Sequence, residues 1–412
     1  DAYASARESN NEVEIDRILK LVMASVALFL RGSTRKEDSL ERRFNLYDKG
    51  ELDTLVAEYL SDAREAEDVA CSELPAQQAD VLARVMHLLS KGEVSKAVAA
   101  AIPGSVNNTS DPRVLEQLKK RVGKGRTVEM PGTLDPGDKV FRRIKIEVGK
   151  AYRSLQRLKG TGPDNVPPEI LSAIARHFSS NPQATAAVNL HQAIADQYLD
   201  GTLPLWFYAL SSIAELIPLA KSLGSIDVRP ISMTSIYART WKAQAARQAC
   251  ENAESHFAEV QLGAGVRGGT VTQALGPAVY LEGAGGTESV VCLDVKNAFS
   301  SMSRSAACDA LLRSSDPAIR ALARVFHAAN SASLRAKGID VVIEEGGGQG
   351  CPLMTVTFAE VLQQALLNLK REARVAGVVS FLDDMTVVGP LEHVLPAVMR
   401  LANEISKLGL EL

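Results

Sequence analysis

The stretch VVSFLDDMTVVGP, residues 378–390, sets two apolar runs on either side of Asp383 and Asp384. The pattern predicts strand, tight turn, strand. Both carboxylates then share the small volume at a hairpin tip. Their repulsion there is costly unless a cation offsets it or one of them holds a proton. A hard divalent ion suits such a pair, because Mg²⁺ takes oxygen ligands and keeps waters that a phosphate can replace. Alone the stretch decides nothing, since an F-x-D-D is more often a plain acidic turn than a metal site.

Three upstream segments bear on the same question. In ESVVCLDVKNAFSSMSR, 288–304, Asp294 stands where an apolar strand should end and a helix begin. By itself it reads as an N-cap. Facing the 383–384 hairpin, it would complete a set of carboxylates for two metal ions, which stabilise the attacking and leaving oxygens of an in-line phosphoryl displacement. In DVVIEEGGGQGCPLMTVTFAEVLQQALLNL, 340–369, a strand, a glycine loop and a helix follow one another. The three glycines strip side chains from the loop before Gln349 and Gly350, so that backbone or a single amide can approach a flat ligand. A flexible surface turn is the plainer alternative. In LSSIAELIPLAKSLGSIDVRPISM, 210–233, Lys221 and Arg229 lie on or beside a hairpin with few competing acids except Asp227. Two cations there suit a triphosphate, Arg by a bidentate fork and Lys as a point charge. Solvated hairpin charges are the alternative.

Further from the hairpin, residues 12 to about 122 carry helical periodicity, as in EIDRILKLVMASVALFL (14–30) and QADVLARVMHLLSKGEVSKAVAAAI (78–102). The apolar run LVMASVALFL, 21–30, is half a membrane span and predicts a buried helix. The first hundred residues hold 13 Lys/Arg against 19 Asp/Glu, whereas residues 113–159 hold 14 against 5. That basic stretch includes KKRVGKGR at 119–126 and a predicted basic helix over 139–159. The Gly/Pro-rich link EMPGTLDPGD at 129–138 marks a domain boundary. A phosphate-backbone contact and a solvated face are equally open for the basic helix.

The chain as a whole sets wide bounds. Its 412 residues exceed one average domain, 46% are hydrophobic and 23% charged, and the mean hydropathy is near zero. The net charge of -3 argues mildly against a polyanion partner, and only the local basic stretch answers that objection. Five scattered cysteines without a C-x-x-C pair read as reduced thiols, neither a disulfide frame nor a zinc site. With no secretory signal or membrane span visible, the expected setting is intracellular, nucleus or cytoplasm. The first residue is Asp, so further residues are expected to precede it.

Taken in order, the segments resemble the fingers and palm of a reverse transcriptase, closest to those of non-LTR retrotransposons. The matching residues are KGTGPDNVPPEIL (159–171), I-P-x-x-K-x₇-R-P-I-S (217–232), QLGAGVRGGT (261–270), LDVKNAFSS (293–301), QGCPL (349–353) and FLDD (381–384). ISKLGLEL (405–412) is similar to the opening of the segment that follows the Asp-Asp hairpin in that family. The resemblance covers roughly 150–412 and rests on order and spacing. It implies an α+β right-hand polymerase with an antiparallel palm sheet flanked by helices. The expected parts are a helical N-terminal region at 1–126, fingers at 138–287 and an incomplete palm at 288–412, with no thumb.

Carried onto this sequence, the resemblance implies that Asp294, Asp383 and Asp384 hold two Mg²⁺ (or Mn²⁺) ions, with the Val295 carbonyl as a further ligand. Lys221 and Arg229 would meet the triphosphate, and Gln349 and Gly350 would line the nucleotide pocket. Phe299 would be a gate against a ribose 2′-OH. The last role also follows from chemistry, because a flat apolar ring leaves a 2′-OH unpaired. In the family, Lys more often follows the Ile-Pro pair directly, whereas here Leu219 and Ala220 intervene. The implied activity is RNA-directed DNA synthesis from dNTPs on an RNA template with a nucleic-acid primer. Two alternatives stand beside it: an inactive, domesticated RNA-binding scaffold, and an RNA-directed RNA polymerase, which Phe299 and Leu382 disfavour.

Overall fold

A computed structural model describes residues 2–29, 39–70, 111–121, 144–156, 160–221, 226–283, 286–330, 334–337, 339–343, 345–372 and 374–412. The described residues are α+β and mostly helical, with two small sheets among them. The first sheet has the order β2-β1-β4-β5, from β1 (Ala214–Ala220), β2 (Val228–Thr234), β4 (Leu334–Lys337) and β5 (Ile339–Ile343). The second has the order β3-β7-β6, from β3 (Glu288–Asp294), β6 (Gly377–Phe381) and β7 (Asp384–Pro390), and is antiparallel throughout.

The predicted 210–233 hairpin forms, with β1 and β2 paired from Ala214↔Thr234 to Ala220↔Val228. Pro218 lies opposite Pro230 in this ladder. Two residues without an N–H fit a pair whose N–H positions point away from each other. β1 also runs parallel to β4, through Ala214↔Ala336 and Glu215↔Lys337.

The second sheet owes its orientation to its alternation. Met385 and Val387 on β7 and Val378 on β6 are buried, with Val291 and Leu293 of β3 packed against the same core. The helix Leu391–Ser406 lies on this side through Val394, Ala397, Leu401 and Ile405, and the helix Leu353–Glu372 adds Phe358, Leu362 and Leu366. Full burial of each such side chain contributes about 1.5–3 kcal/mol before entropy is counted. An aromatic cluster anchors the other half of the molecule. Tyr198 stacks on Tyr208 at 5.0 Å and meets Trp241 at 5.5 Å.

Among the N-terminal helices, Glu12–Phe29 is seated by buried Ile15, Leu19 and Val22, and Trp206 donates from Nε1 to Asp16 Oδ1 at 3.0 Å. The helix expected for 21–30 forms in its described part, where Val22 and Leu28 are buried and Leu21, Met23, Ala24, Ser25 and Phe29 are half-buried. Helices also form at Leu40–Asp48, Leu52–Ala70 and Pro112–Arg121, while the expectation for 78–102 lies outside the described residues. Among the described residues no helix is long and apolar enough to cross a membrane.

One expectation needs correction. The basic helix predicted over 139–159 is a helix only at Val148–Arg153, and its ends, 139–143 and 157–159, lie outside the described residues. Residues 144–147 form neither helix nor sheet, with Ile144 and Ile146 buried and Lys145 and Glu147 exposed. A two-residue alternation sits inside the basic run, and side-chain amides hold it open. Gln192 Nε2 donates to the Ile146 carbonyl at 2.9 Å, and Val148 N–H donates to Gln192 Oε1 at 2.9 Å. The Lys145 N–H is taken by Gln248 Oε1 at 3.1 Å.

Candidate active site

β6 and β7 close through Phe381↔Asp384, leaving Leu382 and Asp383 as a two-residue turn. Leu382 takes φ +58°, a left-handed conformation that costs a residue with a Cβ about 1–2 kcal/mol. The surroundings hold it there. Leu382 N–H donates to Gln261 Oε1 at 2.8 Å, and the Leu382 carbonyl accepts from Ser380 Oγ at 2.6 Å. Gln261 Nε2 donates to Ser380 Oγ at 3.2 Å, and both Gln261 and Ser380 are fully buried. Next to them Gly263 has no room for a side chain, since a Cβ there would lie 2.6 Å from Leu382 Cγ and 2.8 Å from its backbone nitrogen.

The turn's far side is tied to β3. Val295 N–H donates to the Asp383 carbonyl at 3.3 Å, and Asp294 is paired directly with Asp384. Residues directly opposite in a ladder point to one face, so these two carboxylates share a side of the sheet. Burial holds the Asp383 carboxyl above the usual carboxylate range. The charges of Asp384 and Asp294 push the same way, against a backbone hydrogen bond and Arg229, which lower it. Asp294, Asp384 and Arg229 therefore lie within electrostatic reach of Asp383. As placed, no three His, Cys, Asp or Glu among the described residues close into a metal-holding group.

The glycine loop meets both the β1–β2 hairpin and the turn after Asp294. The Gln349 carbonyl accepts from Ser232 N–H at 2.6 Å, so Gln349 runs beside β2, the strand that carries Arg229. Gly347 N–H donates to the Phe299 carbonyl at 2.7 Å. A side chain at Gly348 would collide with Ser232. Phe299 is half-buried and meets Phe358 edge-on, ring centres 5.3 Å apart at 79°. Gly350 is exposed at φ +107°, a conformation open to glycine.

Lys221 and Arg229 differ in their engagement. Lys221 Nζ pairs with Asp227 at 3.3 Å, and Lys221 N–H donates to the Asp227 carbonyl at 2.9 Å. Asp227 also receives the guanidinium of Arg121, the last residue of the helix Pro112–Arg121, whose other Nη donates to Asn297 Oδ1 at 3.0 Å. Arg121 thus joins the β1–β2 hairpin to the turn after Asp294, where Asn297 sits at φ +50°. The C-terminal segment braces that turn from the other side, with Lys296 N–H donating to the Glu411 carbonyl at 2.8 Å.

Four residues were not singled out by their own chemistry in the sequence, although Gln261, Asn297 and Arg121 lie in stretches quoted above. Gln261 and Gln273 look like any loop or helix glutamine, yet Gln273 Nε2 donates to the Asp384 carbonyl at 3.3 Å and to Thr386 Oγ1 at 3.0 Å. Arg121 lies 106 residues from Asp227. Asn297 carried a faint signal, as Asn tolerates positive φ better than most residues. No family model matches the chain, and no curated protein matches it.

Proposed function

We propose that the chain is an RNA-directed DNA polymerase that copies RNA into DNA from dNTPs, of the kind carried by non-LTR retrotransposons. The observation that carries this reading is the gathering of Asp294, Asp384 and Asp383 at one end of the three-stranded sheet, with Arg229 acting on Asp383.

The donor set fits Mg²⁺ or Mn²⁺, being all carboxylate oxygen, and the like charges of Asp294 and Asp384 acting on Asp383 are offset by added positive charge. Asp294, Asp383 and Asp384 would hold the ions, with the Val295 carbonyl beside them. When bound, two such ions polarise the attacking hydroxyl and stabilise the departing oxygen. In the reaction the primer 3′-oxygen bonds to the α-phosphorus of a dNTP as the bond to pyrophosphate breaks. Arg229 orients the triphosphate with a planar fork. Lys221 joins it once released from Asp227. Gln349 and Gly350 border the pocket beside β2, and the Phe299 ring crowds the sugar 2′ position, where it offers a hydroxyl no partner.

Primer extension on an RNA template with Mg²⁺, run with dNTPs or NTPs beside the Asp383→Ala/Asp384→Ala double variant, tests this reading. DNA synthesis by the parent and none by the variant is the expected result. A parent that binds RNA without extending a primer would make the chain a scaffold, and NTP incorporation would make it an RNA polymerase.

A further inference from the structure

From the hydrogen bonds around Leu382 we infer that Gln261 is a positioning residue for Asp383, fixing the peptide that sets this carboxylate against Asp294 and Asp384. The inference rests on the polymerase reading of those three aspartates and assigns a role to a residue outside them.

The argument begins with the backbone. A left-handed residue that is not glycine persists where its surroundings over-determine it. At Leu382 both peptide groups are held, the N–H by Gln261 Oε1 and the carbonyl by Ser380 Oγ, which itself accepts from Gln261 Nε2. One buried amide thus governs both sides of the residue before Asp383. Gln261 is in turn immobilised. Residues 260–262 run parallel to β6, with Ser380 N–H donating to the Val260 carbonyl at 2.7 Å and Leu262 N–H to the Ser380 carbonyl at 2.6 Å. Gly263 N–H donates to the same Oε1 at 3.1 Å, so the side-chain oxygen is shared between its own strand and the turn.

A glutamine that merely filled the core would be satisfied by any partners. Here its contacts converge on the turn, and the next peptide carbonyl, that of Asp383, is held from the opposite side by Val295 N–H. Gln261 and β3 therefore clamp the turn between them. Removing the Gln261 side of the clamp frees the turn to relax from φ +58°, which moves the Asp383 carboxylate relative to its two partners. Groups that orient metal-holding side chains from outside typically change metal affinity about 10- to 100-fold when lost.

The test compares the parent chain with Gln261→Met, which keeps the length and loses every side-chain hydrogen bond, and with Ser380→Ala, which removes the hydroxyl linking Gln261 Nε2 to the Leu382 carbonyl and keeps the Gln261 Oε1 contact to Leu382 N–H. Mn²⁺ binding is followed by electron paramagnetic resonance without substrate, alongside the Mn²⁺ dependence, kcat and KM of primer extension and the circular dichroism of each protein. The expected result for Gln261→Met is a native spectrum, Mn²⁺ half-saturation raised about 10-fold or more, and kcat lowered about 10- to 100-fold with KM for dNTP nearly unchanged. Ser380→Ala should shift the same quantities by less. Should Gln261→Met fail to fold, Ser380→Ala decides alone. Folded variants whose Mn²⁺ half-saturation and kcat match the parent would overturn the inference while leaving the polymerase reading intact. A parent that neither binds Mn²⁺ nor extends primers would remove both.

Discussion

Asp294 on β3 stands directly opposite Asp384 on β7, at the end of that strand pairing. Two like charges placed across a ladder work against the sheet that holds them, typically by a few tenths of a kcal/mol to about 1 kcal/mol. Asp383 adds a third negative charge, and burial already disfavours its ionised form. On the proposed reading, that cost is offset when the site receives a cation.

On the same reading, neutralising one member should stabilise the protein and abolish its response to Mg²⁺. Asp383→Asn is expected to raise Tm at pH 7 by roughly 1–3 °C without divalent ions. Added Mg²⁺ should raise the parent's Tm and leave the variant's unchanged, since an ion that binds only the folded form stabilises it by mass action. Thermal melts with and without Mg²⁺ check both halves. Equal Mg²⁺ shifts in the two proteins would place the ion elsewhere.

Phe299 offers a test of sugar selection. Its ring meets Phe358 edge-on and its carbonyl holds Gly347, so a smaller apolar residue keeps the backbone contact while opening space beside the loop. Phe299→Val is expected to lower the preference for dNTP over NTP by about 10-fold or more, at a stability cost of about 1–3 kcal/mol. The ratio of kcat/KM values for the two nucleotides reports the outcome, and an unchanged ratio would take Phe299 out of the gate role.

Asp227 draws both Lys221 and Arg121 to itself beside the strand that carries Arg229. If a triphosphate uses these cations, it competes with this carboxylate. Asp227→Asn should then lower KM for dNTP by about 2- to 5-fold, the range that an exposed ion pair can supply. A rise in KM would mean instead that Asp227 holds the two cations in place for the nucleotide.

Away from the aspartates, His256 pairs through Nε2 with Glu360 Oε2 at 2.7 Å, and Ser315 Oγ lies 3.4 Å from Nδ1. The hydrogen bond to Glu360 raises the histidine's affinity for its proton, more than burial lowers it, and the charges of Glu360 and Asp316 add to the rise. A histidine whose folded value is raised stabilises the fold fully below its unfolded value, near 6.5, and ceases to do so as pH climbs through the raised one. Denaturation curves between pH 5.5 and about 9 should show stability declining with pH in the parent and a flatter profile in His256→Gln. At pH 6 the variant should be less stable by about 1–3 kcal/mol, because Glu360 keeps a neutral amide donor and loses its charged partner. A parent profile no steeper than the variant's would contradict this.

Much of the local structure was legible in particular residues. The alternation around Asp383 and Asp384 foretold a hairpin, the apolar run before Asp294 a strand, and the hairpin of Lys221 and Arg229 formed with its two prolines opposed. These features depend on periods of two residues and on turn chemistry, both written in neighbouring positions. The stretch 144–147 was misread as helix because charge and hydrophobicity were counted over a long window, while Gln192 and Gln248, far along the chain, decided its conformation.

By itself the sequence determined which segments could be strands, where acidic and basic side chains fell along them, and in what order they came. Tertiary structure alone decided that Asp294 and Asp384 would be a register pair, that Arg229 would act on Asp383, and that Gln261 would grip the turn between them. The physical reason is range. Propensity and periodicity act over a few residues, whereas a carboxylate's charge environment and a buried amide's partners are set by whichever distant segments packing brings within hydrogen-bonding and Coulombic reach.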